Sequence, residues 1–349
     1  MKALVYGGPG KRSWTEAPAP HLIDPEDLIV RVDAVTICGT DLHILKGDVP
    51  EVVPGRILGH EAVGTVLEAG SGVRTVAVGD RVLVSCITSC GRCRYCREAR
   101  YGQCLGGGGW VLGHTIDGVQ AEQVRVPYGD TSVHRLPDDI GNEDAVMLAD
   151  ILPTSYEVGV LSGQVRTGDT VVIVGAGPIG LAAVLTARLL SPSRIVVVDP
   201  APARRELATK LGADLALDPA TEDVLQTVQS LTDGLGADVA VEAVGIPATF
   251  ESCVDLVRPG GHVANVGVHG SPATLHLERA WIRDLTITTG LVDTSSTPLL
   301  LRLLAERALH VGDLVTHRFG LHEMAEAYEI FERPSETGAV KVLLSRSAD

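Results

Sequence analysis

The sequence predicts an α/β protein: a doubly wound parallel sheet accompanied by an antiparallel, barrel-like domain. Three observations predict it. From residue 170 onward short apolar strands alternate with helical stretches, the pattern of parallel βαβ units. Before residue 150 the strands are short and punctuated by Gly, Pro and Asp, as in antiparallel barrels. A chain of 349 residues is long enough to bury two separate cores.

The parallel domain is expected over residues 154–292. "TVVIVGAGPIGLAAVLTARLL" reads as a buried strand, a glycine-rich turn and an apolar helix. "RIVVVD" follows as a second strand and ends at Asp199. Strands continue at "ADLALD", "ADVAVEAVG", "GGHVANVG" (260–267) and "LTITTG", with helices "RRELATKLG", "TEDVLQTVQSLT" and "ATFESCVDLV" between them. A lone G-x-G-x-x-G is a weak signal. Set between a strand and a helix, with an acid ending the next strand, it becomes a dinucleotide fingerprint. Gly175, Gly177, Pro178, Ile179 and Gly180 are expected to bring the backbone to a pyrophosphate at the helix N-terminus. Asp199 would accept hydrogen bonds from ribose hydroxyls and repel a 2′-phosphate, favouring NAD. Arg204 and Arg205 follow closely and could accommodate that phosphate, so NADP stays open. Val244 and Gly267, near later strand ends, are expected along the same cofactor edge.

The antiparallel domain is expected over residues 1–153 and 293–349. Its strands are "LIVRVDAVTIC", "AVGTVLEAG", "DRVLVS" and "AEQVRVP". The tail, with helix-like "PLLLRLLAERALHVGD" and "HEMAEAYEIFE" and strand-like "GAVKVLL", is too short to stand alone and should complete this domain. The cleft between domains is the expected ligand site.

Lys+Arg of 29 against Asp+Glu of 44 gives a net charge of −15, which argues against nucleic acid and anionic membranes as partners. "MKALVYGGPG" lacks an apolar signal region, and the most apolar helix carries Arg188. The expected location is therefore cytoplasmic, a reducing compartment that disfavours disulfides. That matters for "SCGRCRYCREARYGQC". Of seven cysteines, four (Cys90, Cys93, Cys96, Cys104) fall in this one loop, with C-x2-C-x2-C-x7-C spacing. Four thiolates at such spacing suit structural zinc, a closed shell with no place for substrate. An iron–sulfur cluster is the less favoured reading. Gly91 and Gly102 would supply the turn, and Arg92, Arg94, Arg97 and Arg100 would favour thiolates. Cys86 and Cys253 read as buried and inert.

With "CGTDLH" at 38–43, "GHEAVGTVLEAGSGV" at 59–73 and the four-cysteine lobe in place, the chain resembles the zinc-dependent medium-chain alcohol dehydrogenases over essentially its whole length. The resemblance implies a GroES-like catalytic domain, a Rossmann domain and two zinc ions per subunit. It implies a catalytic zinc on Cys38, His60 and a ligand from "LADILPTSYE", here Asp150, where many relatives carry Cys. Thiolate, imidazole and carboxylate are suitable zinc ligands, and three of them leave a fourth position for substrate. Glu61 is expected to approach the metal when that position is empty.

The implied chemistry is reversible hydride transfer between an alcohol and NAD, giving the ketone or aldehyde. Thr40 would face the reacting oxygen and His43 would pass the proton outward. Trp110 resembles a pocket tryptophan of the tetrameric bacterial secondary-alcohol dehydrogenases, which share the Cys/His/Asp set but lack the cysteine lobe. Leu291 and Val292 would border pocket and nicotinamide, and Lys341 would reach the cofactor phosphates. The expected substrate is a secondary or medium-sized alcohol or the matching carbonyl. Alternatives are a polyol or amino-alcohol dehydrogenase and, from another class, an inactive zinc-stabilised NAD-binding redox sensor. A homo-oligomer is expected, a tetramer before a dimer.

Overall fold

The computed structural model describes residues 1–346. The chain divides into two compact units, Met1–Pro153 with Val292–Asp349, and Thr154–Leu291.

The second unit is built on six parallel strands. From one edge they run Leu215–Leu217, Arg194–Val198, Thr170–Val174, Ala237–Glu242, Val257–Asn265 and Thr286–Thr289. Chain order therefore reverses at Thr170–Val174, and the crevice at its C-terminal end is where a doubly wound sheet takes a ligand. Every residue of that strand is buried, so its unbroken Val/Ile run needs both faces covered. Val172, Val174, Val196 and Val263 join one core cluster, and each buried valine contributes about 1.5–3 kcal/mol. The helix Pro178–Arg188 follows the glycine turn, with proline in its first turn, where the absent N–H costs no bond. A side chain at Gly180 is impossible: its Cβ would stand 1.8 Å from the carbonyl oxygen of Gly175. The strand expected over 260–267 starts earlier, at Val257, and closes at Asn265, which leaves Gly267 in the loop beyond the strand end.

The first unit carries a seven-stranded, mostly antiparallel sheet ordered Val315–Gly320, Lys341–Ser345, Leu28–Thr36, Ala62–Ala69, Arg81–Val84 and Val133–Arg135, with Gln123–Val126 also on Leu28–Thr36. The tail strand Lys341–Ser345 pairs antiparallel with Leu28–Thr36, with Leu343 opposite Thr36. Tyr328, Phe331 and Leu344 of the tail share one core cluster with Leu28, Val30 and Val32. The first helix of the tail spans only Thr297–Ala305, shorter than its apolar run, because Arg307 takes a left-handed φ of 57° and turns the chain.

Candidate metal and cofactor sites

The cysteine lobe sits between the strands Arg81–Val84 and Gln123–Val126. Its four sulfurs all lie within 4.8 Å of one another. Cys90 Sγ and Cys96 Sγ are 3.9 Å apart. Tetrahedral zinc with bonds of about 2.3 Å needs sulfurs roughly 3.8 Å apart, so the donor set fits that ion. Gly91 takes φ 67°, the left-handed turn that lets the loop close. Gly102 has no such role; it lies in a short 3-10 turn, and its N–H donates to Asp293 Oδ1 at 2.9 Å.

The arginines are also placed differently from the expectation. Arg92 pairs with Glu26 at 2.7 Å and Arg94 with Glu98 at 3.1 Å. Backbone amides meet the sulfurs instead: Cys90 N donates to Cys104 Sγ at 3.3 Å, Leu105 N to Cys93 Sγ at 3.4 Å and Gly106 N to Cys104 Sγ at 3.4 Å. The amides of Cys96 and Leu105 pull the Cys93 thiol down to about 6. Burial pushes Cys96 up to about 12, so it is the thiol that most needs a metal to give up its proton. Replacing Cys96 by Ser is expected to release one zinc equivalent and lower the melting temperature, with the second zinc retained. Metal content and calorimetry on the variant check this; unchanged values for both refute it.

The second cluster joins three distant segments. Cys38 caps the helix Gly39–Lys46. His60 precedes the strand Ala62–Ala69, and Asp150 precedes the helix Ile151–Thr154. Asp150 Oδ2 lies 3.5 Å from Cys38 Sγ and 3.5 Å from His60 Nε2. Zinc bonds of about 2.0–2.3 Å at tetrahedral angles put ligand atoms roughly 3.3–3.8 Å apart, so these separations suit the ion. All three side chains are buried. Burial pushes the Cys38 thiol up, and Glu61 pushes it the same way. Burial works against a charged His60, but Cys38 and Asp150 outweigh it and hold the imidazole well above its ordinary range. Protons and a metal therefore compete for the same atoms.

Residues the sequence did not single out hold this cluster in place. Asp41, fully buried, accepts from Cys38 N at 3.0 Å and from Gln120 Nε2 at 2.9 Å. Tyr328 then donates to Gln120 Oε1 at 2.8 Å. The signal was present in "CGTDLH", where an acid three residues past the cap is the capping-box position. Cys86, read as inert, places its Sγ 3.5 Å from Asp150 Oδ1.

Thr40 Oγ1 is 3.6 Å from Cys38 Sγ, next to the cluster. His43 follows on the same helix, partly exposed, with Nδ1 2.9 Å from Asp48 Oδ2. The Trp110 and His60 rings meet edge to face with centroids 6.2 Å apart, and His114 stacks on Trp110 at 4.3 Å. Lys341 departs from its expected role. It is 1% exposed, and its Nζ donates to Glu61 Oε2 and to the Ile37 carbonyl, so it is not free to meet a cofactor phosphate. Glu61 Oε2 is held by that ammonium and by Thr36 Oγ1, and both hold the carboxylate in its place beside His60.

In the second unit Asp199 ends its strand with Oδ2 on the amide of Ala176, inside the glycine turn, at 2.7 Å. Val244 packs against Gly175. Gly267 is pressed against Gly245 and Glu242, where a Cβ would come within 2.3 Å of the Gly245 nitrogen. Arg205 is tied to Asp218 at 3.3 Å and to the Asp199 carbonyl, whereas Arg204 is half-buried on the same helix. Leu291 is 43% exposed, but Val292 is buried and belongs to the first unit, so of that pair only Leu291 presents its side chain. Cys253 is buried in the core.

What the two units share is dehydrogenase chemistry: one has the turn and sheet that take a dinucleotide, the other a mixed-donor cluster suited to a Lewis-acidic ion. Comparison with known proteins agrees. Residues 24–138 match the alcohol dehydrogenase GroES-like domain, and residues 178–306 match the zinc-binding dehydrogenase family. A zinc-dependent alcohol dehydrogenase 2 from Streptococcus pneumonia, solved in its apo form, is 45% identical with a TM-score of 0.96, covering 100% of this chain and 99% of that one. An alcohol dehydrogenase of Cupriavidus necator is 35% identical over 99% of this chain and 98% of its own length. An L-threonine 3-dehydrogenase of Pyrococcus horikoshii is 35% identical over 99% of both.

The chain belongs to the zinc-dependent medium-chain alcohol dehydrogenase family. It is an oxidoreductase acting on alcohols with a nicotinamide cofactor, and the alternative of an inactive redox sensor is not supported. Among the described residues no helix is long and apolar enough to cross a membrane.

Proposed function

We propose that this chain is an NAD-preferring dehydrogenase of secondary or medium-sized alcohols, run by zinc on Cys38, His60 and Asp150, with a second zinc on the cysteine lobe. The convergence of Cys38, His60 and Asp150 from three segments onto one buried point carries the reading. Zinc there supplies Lewis acidity toward a substrate oxygen, and the nicotinamide supplies the hydride acceptor. The chain's own residues do the rest. Trp110, with its ring near His60, shapes the substrate's surroundings. Thr40 Oγ1 would accept a proton from the substrate hydroxyl as it gives up its own, and the partly exposed His43 on the same helix would take a proton from that relay and release it to solvent, a task suited to an imidazole.

NAD is favoured by Asp199, whose carboxylate closes the adenosine end of the crevice. Arg205 is already committed to Asp218, which leaves Arg204 as the cation on that helix that could meet a 2′-phosphate. An amino-alcohol substrate is the second reading, favoured by the L-threonine 3-dehydrogenase relative. We also read the chain as a homo-oligomer, a tetramer before a dimer. The edge strand Thr286–Thr289 is paired on one side, and Trp281 nearby is 74% exposed. Light scattering reads the assembly directly, and a monomer at working concentration would end that part of the proposal.

The test of function is a panel of alcohols, diols, amino alcohols and ketones, run with NAD and with NADP on protein of measured zinc content. Turnover of secondary alcohols with NAD, at two zinc equivalents per chain, is the expected result. Faster turnover of L-threonine would move the assignment to the second reading. Faster turnover with NADP would overturn the assignment of Asp199.

A further inference from the structure

Asp150 has two oxygens, and Oδ2 lies 3.5 Å from both Cys38 Sγ and His60 Nε2. The other oxygen, Oδ1, receives the Cys86 thiol at 3.5 Å. The same residue fixes the backbone, since Cys86 N donates to the carbonyl of Ala149, immediately before the ligand, at 3.1 Å. Cys86 is itself anchored on both sides. Ser85 N donates to Ser132 O at 3.0 Å, Ser85 Oγ donates to Thr294 Oγ1 at 2.9 Å, and Ile87 N donates to Ser85 Oγ at 3.2 Å. Among the described residues the metal-ligand cluster at this point is Cys38, His60 and Asp150; the Cys86 sulfur is not part of it.

We infer that Cys86 is a positioning residue that makes Asp150 a one-oxygen ligand. This rests on the reading that Cys38, His60 and Asp150 hold a metal. A carboxylate rotates about a broad, two-fold torsion and can offer both oxygens to an ion. Two oxygens on zinc would fill the position that substrate needs. A donor on Oδ1 opposes that rotation. A thiol does so with little loss of carboxylate charge, because S–H is a weak donor. A second-shell hydrogen bond of this kind commonly governs metal affinity.

The experiment is chelator competition and cobalt substitution on the full-chain holoenzyme and on Cys86→Ala, Cys86→Val and Cys86→Ser. Ala and Val remove the donor in two sizes; Ser restores one. Cys86→Ala and Cys86→Val are expected to weaken zinc at this site by about 10–100-fold, while Cys86→Ser stays within about threefold of the parent. The cobalt ligand-field bands should shift in the first two variants, and zinc in the cysteine lobe should be unaffected in all three. Parental affinity and an unchanged cobalt spectrum in Cys86→Ala and Cys86→Val overturn the inference. Loss of a thiolate-to-cobalt band in Cys86→Ser also overturns it, because Cys86 would then be a ligand itself. A parent protein that holds zinc only in the cysteine lobe removes the metal-site reading and this inference together.

Discussion

Replacing Asp150 by Asn is expected to reduce alcohol oxidation by about 10³-fold or more, with one of two zinc equivalents lost and the melting temperature little changed. Asn keeps the volume of Asp and one carbonyl oxygen, so the contacts to the cluster survive in shape. What goes is charge. On the proposed reading the Cys38 thiolate and the Asp150 carboxylate would together neutralise Zn²⁺, and removing one would leave a net positive charge in a buried site. His60, as a neutral ligand, would not compensate. A Lewis acid that supplies several kcal/mol of charge stabilisation is worth about a thousandfold in rate. Zinc measured by atomic absorption and turnover measured at saturating NAD check both halves. An Asn variant with parental zinc and parental turnover would show that Asp150 neither holds the ion nor serves the reaction.

How far such a site can be read from sequence depends on what fixes each residue. The glycine turn was legible because its constraint is local: Gly180 must clear the carbonyl of Gly175, five residues away. The clustering of the four cysteines was legible for the same reason, since all four donors lie in one loop. The Arg-rich character of that loop misled. Exposed side chains find exposed carboxylates such as Glu26 and Glu98, while the sulfurs take the amides that the loop itself turns inward. Lys341 and Cys86 were illegible in a stricter sense. Lys341 meets Glu61 because of the register of the tail strand on Leu28–Thr36, which no local pattern encodes. Cys86 meets Asp150 only once the segment before Ile151 is pinned to the end of Arg81–Val84. Spacing alone could not have linked Cys38, His60 and Asp150; the family resemblance supplied that link.

Lys341→Met gives the second large effect, and it separates two roles for one residue. Lys341 and Glu61 are buried together, each about 1% exposed. Burial opposes the charge on Lys341, but Glu61 and Cys38 outweigh it, so the ammonium keeps its proton above its ordinary range. The sign follows: the pairing contributes fully at neutral pH and is lost only as pH rises past that raised value. Removing one partner of a buried pair leaves the other charge unmatched, at about 3–5 kcal/mol. For a protein of this size that is a fall of roughly 4–7 °C in melting temperature. The double variant Lys341→Met with Glu61→Gln should recover most of the loss, because no unpaired charge remains. Freed of its ammonium, Glu61 in the single variant also keeps its Thr36 bond but loses its charged partner, so zinc affinity should change along with stability. A lysine serving cofactor phosphates would behave otherwise: Lys341→Met would then raise the KM for NAD, leave the melting temperature alone, and gain nothing from the second substitution.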